Sequence, residues 1–158
     1  MDIKLFSNNI KFKYRVSAII INNGRILVNR YDEKRYCLPG GYAEVGETSL
    51  EALKREVLEE VQLNIKTAKY LGLIENFFTN FNGDKTHGLD FYYMIVISDD
   101  DTNKIDMNYI ENDKNGLVEH HFSWIEIPKL NSYHLVPTVL EKIIQNNEEN
   151  FHYIIKEK

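Results

Sequence analysis

Residues 41 to 63 read GYAEVGETSLEALKREVLEEVQL, a glycine-rich loop running straight into a helix that carries Arg55, Glu56, Glu59 and Glu60 in its last turns. At about 100° per residue, the three glutamates fall within an arc of roughly 100° and make one helix face acidic. Leu50, Leu53, Val57 and Val61 occupy the neighbouring arc. The helix must therefore lie with an apolar stripe on a core and its carboxylates at the edge of that core. Thr48-Ser49-Leu50-Glu51 reads as a capping box that sets where the helix begins. Gly40, Gly41 and Gly46 allow a tight loop with exposed backbone just before it.

Three carboxylates this close repel one another, and hard divalent cations relieve the repulsion. Mg²⁺ keeps several waters and joins protein carboxylates to substrate phosphates, so the segment reads as a pyrophosphate-cleaving site. Taken alone, a helix rich in Glu, Lys and Arg is a solvated face. The loop glycines, Glu47, the cap and the apolar stripe, all in register, favour the metal reading over that one.

The segment resembles the signature of the Nudix hydrolases. Gly41, Glu47, Arg55, Glu56, Val57, Glu59, Glu60 and Leu63 stand at signature positions, and the upstream run Leu38-Pro39-Gly40-Gly41 is also similar. Gln62 departs from the pattern, standing where the family has the glycine that lets the chain leave the helix. A left-handed residue with a Cβ costs roughly 1–2 kcal/mol.

The resemblance implies that Glu56, Glu59 and Glu60 hold Mg²⁺, with Mn²⁺ as the alternative, and that the main-chain carbonyl of Gly40 joins them. Arg55 and Glu47, eight residues apart, are expected to pair and brace the loop against the helix. The resemblance also implies that Glu56 or a more distant glutamate helps deprotonate the attacking water. Two residues compete to be an additional glutamate of the kind many relatives bring to the metals: Glu119, after a long acidic stretch, and Glu75, inside an apolar run. The implied fold is α/β, a Nudix α/β/α sandwich with a mixed sheet between helices. The implied function is Mg²⁺-dependent hydrolysis of a pyrophosphate linkage in a nucleoside diphosphate derivative. The main alternative is a non-catalytic nucleotide-sensing domain, and a prenyl diphosphate isomerase is a second rival to which Cys37 lends little.

At 158 residues and 43% hydrophobic content, the chain suits one domain spanning residues 1–158. No apolar run approaches the ~20 residues of a membrane span, and Met1-Asp2-Ile3-Lys4 lacks the order of a signal peptide, which points to the cytoplasm. Cys37 is the single cysteine, so an internal disulfide is excluded and a small core residue is expected. The net charge of −5 disfavours general nucleic-acid binding but suits a small anionic substrate held by metal ions and a few arginines. Arg15, Arg30 and Arg35 are the nearest candidates. The sequence leaves open whether two copies join as a homodimer.

Val16 to Ile21 and Arg25 to Asn29 flank Asn22-Asn23-Gly24, a strong hairpin signal. Ala68 to Phe78 and Leu89 to Ile97 read as a second antiparallel pair, separated by a polar stretch from Thr79 to His87. Asp99 to Asn115 is acidic and without periodicity, and is expected to be a long exposed loop before a strand from Val118 to Ile127. Pro137 opens a helix running to Gln145 with an apolar stripe, and Phe151 to Ile155 is a last strand or tail. His120 and His121 are adjacent and point to opposite faces of a strand, which argues against a zinc site. Phe77, Phe78, Phe81, Phe91, Tyr92 and Tyr93 supply core packing, with one or two available to stack on a base. The proline and tyrosine that mark some substrate subfamilies about fifteen residues beyond the signature are absent.

Overall fold

A strand that reads Ala18-Ile19-Ile20-Ile21 is apolar on both faces and requires cover on both sides of its sheet. The computed structural model, which describes residues 1–80 and 82–156, supplies that cover with helices. In chain order the elements are β1 (Lys4–Ser7), β2 (Ile10–Asn22), β3 (Arg25–Arg30), β4 (Tyr36–Cys37), β5 (Gly40–Tyr42) and α1 (Ser49–Val61). They continue with β6 (Lys69–Thr79), β7 (Lys85–Val96), α2 (Asp99–Thr102), β8 (Asn108–Asp113), β9 (Gly116–Glu126), a 3₁₀ helix (Ile127–Ser132), α3 (Val139–Gln145) and β10 (Phe151–Lys156).

These strands form one mixed sheet with the main order β10-β6-β7-β2-β3-β9-β8. β1 and β5 also pair with β2, and β4 with β3. The β2–β7 and β10–β6 pairs are parallel and the others antiparallel. Strand alternation divides the core in two. Val16, Ala18, Ile20, Leu27 and Ile95 face α1, packing on Leu53, Val57 and Val61. Ile19, Ile26, Val28, Ile74 and Tyr92 face the opposite way, onto Leu140, Ile143 and Ile144 of α3. This is the α/β sandwich, with a mixed sheet between helices, that the resemblance implies.

The β2–β3 hairpin turns at Asn23 and Gly24, both with positive φ (48° and 73°), as a two-residue turn between twisted strands requires. α1 begins with the capping box in place: the Thr48 hydroxyl accepts from the Glu51 N–H at 3.2 Å, and the Glu51 carboxylate accepts from the Thr48 N–H at 2.7 Å. It ends at Gln62, which adopts the left-handed conformation (φ 63°, ψ 27°). The chain thus leaves the helix through a left-handed residue even though a Cβ is present.

Two expectations differ from the fold. β7 starts at Lys85, inside the stretch read as a polar connection, because its ladder to β6 continues to Thr79↔Lys85 and its ladder to β2 to Ile10↔Lys85. The segment Asp99 to Asn115 is not a long loop. Ser98 caps the short helix α2 by accepting from the Asp101 N–H at 3.1 Å, and β8 then pairs antiparallel with β9. β8 lies at the sheet edge and alternates exposed with half-buried residues, so it carries no apolar period for a sequence pattern to detect. Phe81 lies outside the described residues.

Candidate active site

α1 presents Glu56, Glu59 and Glu60 toward a cleft of about 650 Å³ between the glycine loop, α1 and the β8–β9 hairpin. The approach of loop and helix is close. A Cβ built on Gly41 would stand 2.4 Å from the Glu56 carboxyl carbon, so glycine at that position makes room for the carboxylate. The Gly40 N–H donates to Glu60 Oε2 at 3.2 Å.

Arg55 holds the loop to the helix. Its Nε and Nη2 donate to the two oxygens of Glu47 at 2.6 and 2.9 Å, and Nη2 also donates to the Tyr42 carbonyl at 2.9 Å. Nη1 donates to Glu56 at 2.8 Å and to Glu59 at 3.2 Å. A bidentate guanidinium–carboxylate pair is among the strongest polar contacts, and here it joins loop to helix. Arg55 holds the Glu47 carboxyl below its ordinary range.

The electrostatics of the helix face run the other way. Burial pushes Glu56 up to about 7, against the pull of Arg55. Burial, then the charge of Glu56, pushes Glu60 up to about 8. Glu59, at the rim, is raised for the same first reason. Burial thus disfavours the charged carboxylates and holds protons on them, and a cation would displace those protons and stabilise the charged form.

The far wall of the cleft comes from the β8–β9 hairpin. Glu111 pairs with Val118 and Tyr109 with His120, so all four side chains share the face that lines the cleft. One ligand atom each from Glu60, Glu111 and His120 lies within 4.8 Å of the others. Sequence reasoning missed Glu111, although Asn115-Gly116 was an available hairpin signal.

The same alternation corrects the expectation for Glu119. It pairs with Ile110 on the opposite face, is 70% exposed, and sits 3.4 Å from His121 Nε2. The structure does not bring it to the cluster, and Glu111 occupies the place expected for it. Glu75 is also elsewhere, on β6 with its carboxylate 2.7 Å from His152 Nε2. His120 and His121 do point apart, yet His120 joins the carboxylates from its own side.

A second cavity of about 380 Å³ lies on the α3 face of the sheet, and Arg15 lines both spaces. Lys13, Arg15 and Ser17 of β2 and Thr86 and Asp90 of β7 give this end of the sheet a polar surface beside the ring of Phe78. Arg15 Nε, Thr86 Oγ1 and Asp90 Oδ1 are buried there without a hydrogen-bond partner. Burial pushes the Cys37 thiol, also in this cavity, up to about 11, so it is not a thiolate at neutral pH. Arg35 pairs with Asp32 at 2.6 Å, and Arg30 is exposed. Phe77 stacks on His87, Phe91 packs on Tyr14, and Tyr92 and Tyr93 are buried in the core.

The model of the NUDIX domain matches residues 11–146, from β2 to the end of α3. The chain belongs to the Nudix family. It is a Nudix pyrophosphohydrolase, with the carboxylate helix and preceding loop that this fold carries. Solved structures share its fold. A MutT protein from Bacillus halodurans is 16% identical with a TM-score of 0.64, covering 90% of each chain. A MutT NUDIX hydrolase from Burkholderia pseudomallei is 20% identical with a TM-score of 0.57, covering 85% of this chain and 96% of its own. A NUDIX hydrolase from Nitrosomonas europaea is 24% identical with a TM-score of 0.54, covering 87% and 91%. Among the described residues no helix is long and apolar enough to cross a membrane.

Proposed function

We propose that this Nudix protein, as one domain over residues 1–158, hydrolyses the pyrophosphate linkage of a nucleoside diphosphate joined to a further moiety, with Mg²⁺ or Mn²⁺ as the resident cation. The observation that carries this reading is the pair Glu56 and Glu60, gathered on one wall of an open cleft with Glu111 facing them and driven up to about 7 and 8, first by burial and then by neighbouring carboxylates. Oxygen donors of this kind suit a hard divalent ion, so the residues fit the cation that the family generally uses.

Glu56 and Glu60 would hold it from the helix, with Glu59 at the rim, the Gly40 carbonyl from the loop and Glu111 from the hairpin. Glu119 is not in this set. When bound, the cation polarises phosphoryl oxygens, lowers the pKa of coordinated water and offsets charge on the leaving phosphate. The protein's own groups do the rest. Arg55 and Glu47 keep loop and helix in register, so the carboxylates do not have to reorganise during the reaction. A carboxylate of the cluster accepts the proton of the attacking water.

Arg15, lining both spaces, is placed to meet the anionic part of a substrate that spans them. The second cavity accepts the nucleoside, with the Phe78 ring as an apolar surface and the unpaired atoms of Arg15, Thr86 and Asp90 as hydrogen-bonding partners.

The test is a screen of nucleoside triphosphates, nucleotide sugars, dinucleoside polyphosphates and coenzyme diphosphates with Mg²⁺, reading out both products. Cleavage between two phosphates is expected for at least one class, and Glu56→Gln or Glu60→Gln lowers kcat by on the order of 100-fold or more. No cleavage of any class, or wild-type rates in both variants, refutes the reading.

A further inference from the structure

The imidazole of His120 is held more completely than packing alone requires. It is 4% exposed, lies nearly parallel to the rings of Tyr109 (15°) and Phe122 (10°), and is hydrogen-bonded through both nitrogens. Asn29, also buried, decides what those bonds are. The β3–β9 ladder stops at Asn29↔Phe122, and the Asn29 side-chain oxygen accepts the next free amide, the His121 N–H, at 3.0 Å.

That contact fixes the orientation of the amide, so its NH₂ group faces His120 Nδ1 at 2.8 Å. Nδ1 must then be an unprotonated acceptor. The ring proton sits on Nε2, which donates to Glu111 Oε2 at 2.7 Å. An imidazolium would set N–H against N–H at Asn29, and turning the amide would set its NH₂ against the His121 N–H.

We propose that Asn29 and His120 form a fixed hydrogen-bond relay that positions Glu111, so that the carboxylates of Glu60 and Glu111 serve the cation while His120 orients Glu111 and does not coordinate it. The proposal rests on the cation-binding reading above. It separates the roles of the three side chains whose donor atoms cluster within 4.8 Å. The Nε2 of His120 already carries a proton, and its lone pair is not available to a metal. Its donation occupies one oxygen of Glu111 and leaves Oε1 for the cleft. Carboxylates that bind cations depend on hydrogen bonds from behind them, and loss of such a support lowers metal affinity about 10–100-fold.

Two measurements test it. In protein labelled with ¹⁵N-histidine, His120 is expected to show an unprotonated Nδ1 and a protonated Nε2, with that N–H retained when Mg²⁺ is added. The opposite tautomer, an imidazolium at neutral pH, or loss of the Nε2 proton on Mg²⁺ addition overturns the proposal. Mg²⁺ affinity is then measured by calorimetry on the wild type, His120→Gln and His120→Leu. The glutamine amide can still donate to Glu111 and is expected to keep affinity within about threefold, whereas leucine loses about tenfold or more. Equal affinity in all three overturns it. If the leucine variant does not fold, the NMR tautomer and the glutamine rescue still decide. A wild type that binds no Mg²⁺ defeats the cation reading itself, whatever tautomer the spectrum shows.

Discussion

The two walls of the cleft are built in opposite ways. The helix wall is one continuous stretch, in which Gly41, Glu47, Arg55, Glu56 and Glu60 reach one another through a capped helix and a guanidinium clamp. The hairpin wall brings Glu111 and His120 to the same cleft from β8 and β9, with Asn29 of β3 behind them. On the first wall the spacing along the chain already sets which side chains meet. On the second, strand register sets it, and a slip of one residue would turn Glu111 away and bring Glu119 in.

The sharpest challenge to this contrast is to exchange the two candidate glutamates. Glu111→Gln is expected to lower kcat/KM and Mg²⁺ affinity about 10–100-fold, while Glu119→Gln stays within about twofold, measured by product release and calorimetry. A loss confined to Glu119→Gln would show that the hairpin uses its other face.

The next largest effect concerns pH and isolates the burial of carboxyls on the helix wall. Glu56 and Glu60 titrate in the folded protein near 7 and 8, against 4.5 ordinarily. Below about pH 4.5 both states are protonated and these groups contribute no difference. As pH rises toward 8 the unfolded chain has released protons that the folded chain still binds, so metal-free stability falls. Relative to a Glu56→Gln/Glu60→Gln double variant, the metal-free wild type is expected to lose roughly 10 °C in Tm between pH 5 and pH 8. Mg²⁺ should restore the wild type and leave the double variant unchanged. Parallel Tm profiles in the two proteins would show that burial does not hold protons on the helix wall.

The smallest effect lies at the end of α1. Gln62→Gly removes a Cβ from a left-handed residue and is expected to stabilise the fold by about 0.5–1 kcal/mol in urea unfolding, with kcat unchanged. A destabilised variant would mean that the Gln62 side chain contributes more than its backbone strain costs.

Much of the fold was legible because it is local. The Asn22-Asn23-Gly24 turn, the Thr48–Glu51 box and the two apolar stripes each depend on neighbours a few residues away, and the structure has all of them. β8 was not legible, since an edge strand with polar residues on both faces has no hydrophobic period. Glu119 was named and Glu111 overlooked for the same reason: without the hairpin, nothing indicated that β8 exists or which face of β9 lines the cleft. Asn29 reads in sequence only as the end of a strand, and its role exists through His120 and His121, more than ninety residues on.

By itself the sequence determined the carboxylate helix, its cap, its anchoring stripe and the glycine loop, because helix periodicity and capping act over one or two turns. Tertiary structure alone decided which further glutamate faces the cleft, that a buried histidine stands behind it, and that Arg15 borders both cavities. Those facts depend on strand register and sheet order, which bring together residues whose separation along the chain carries no pattern.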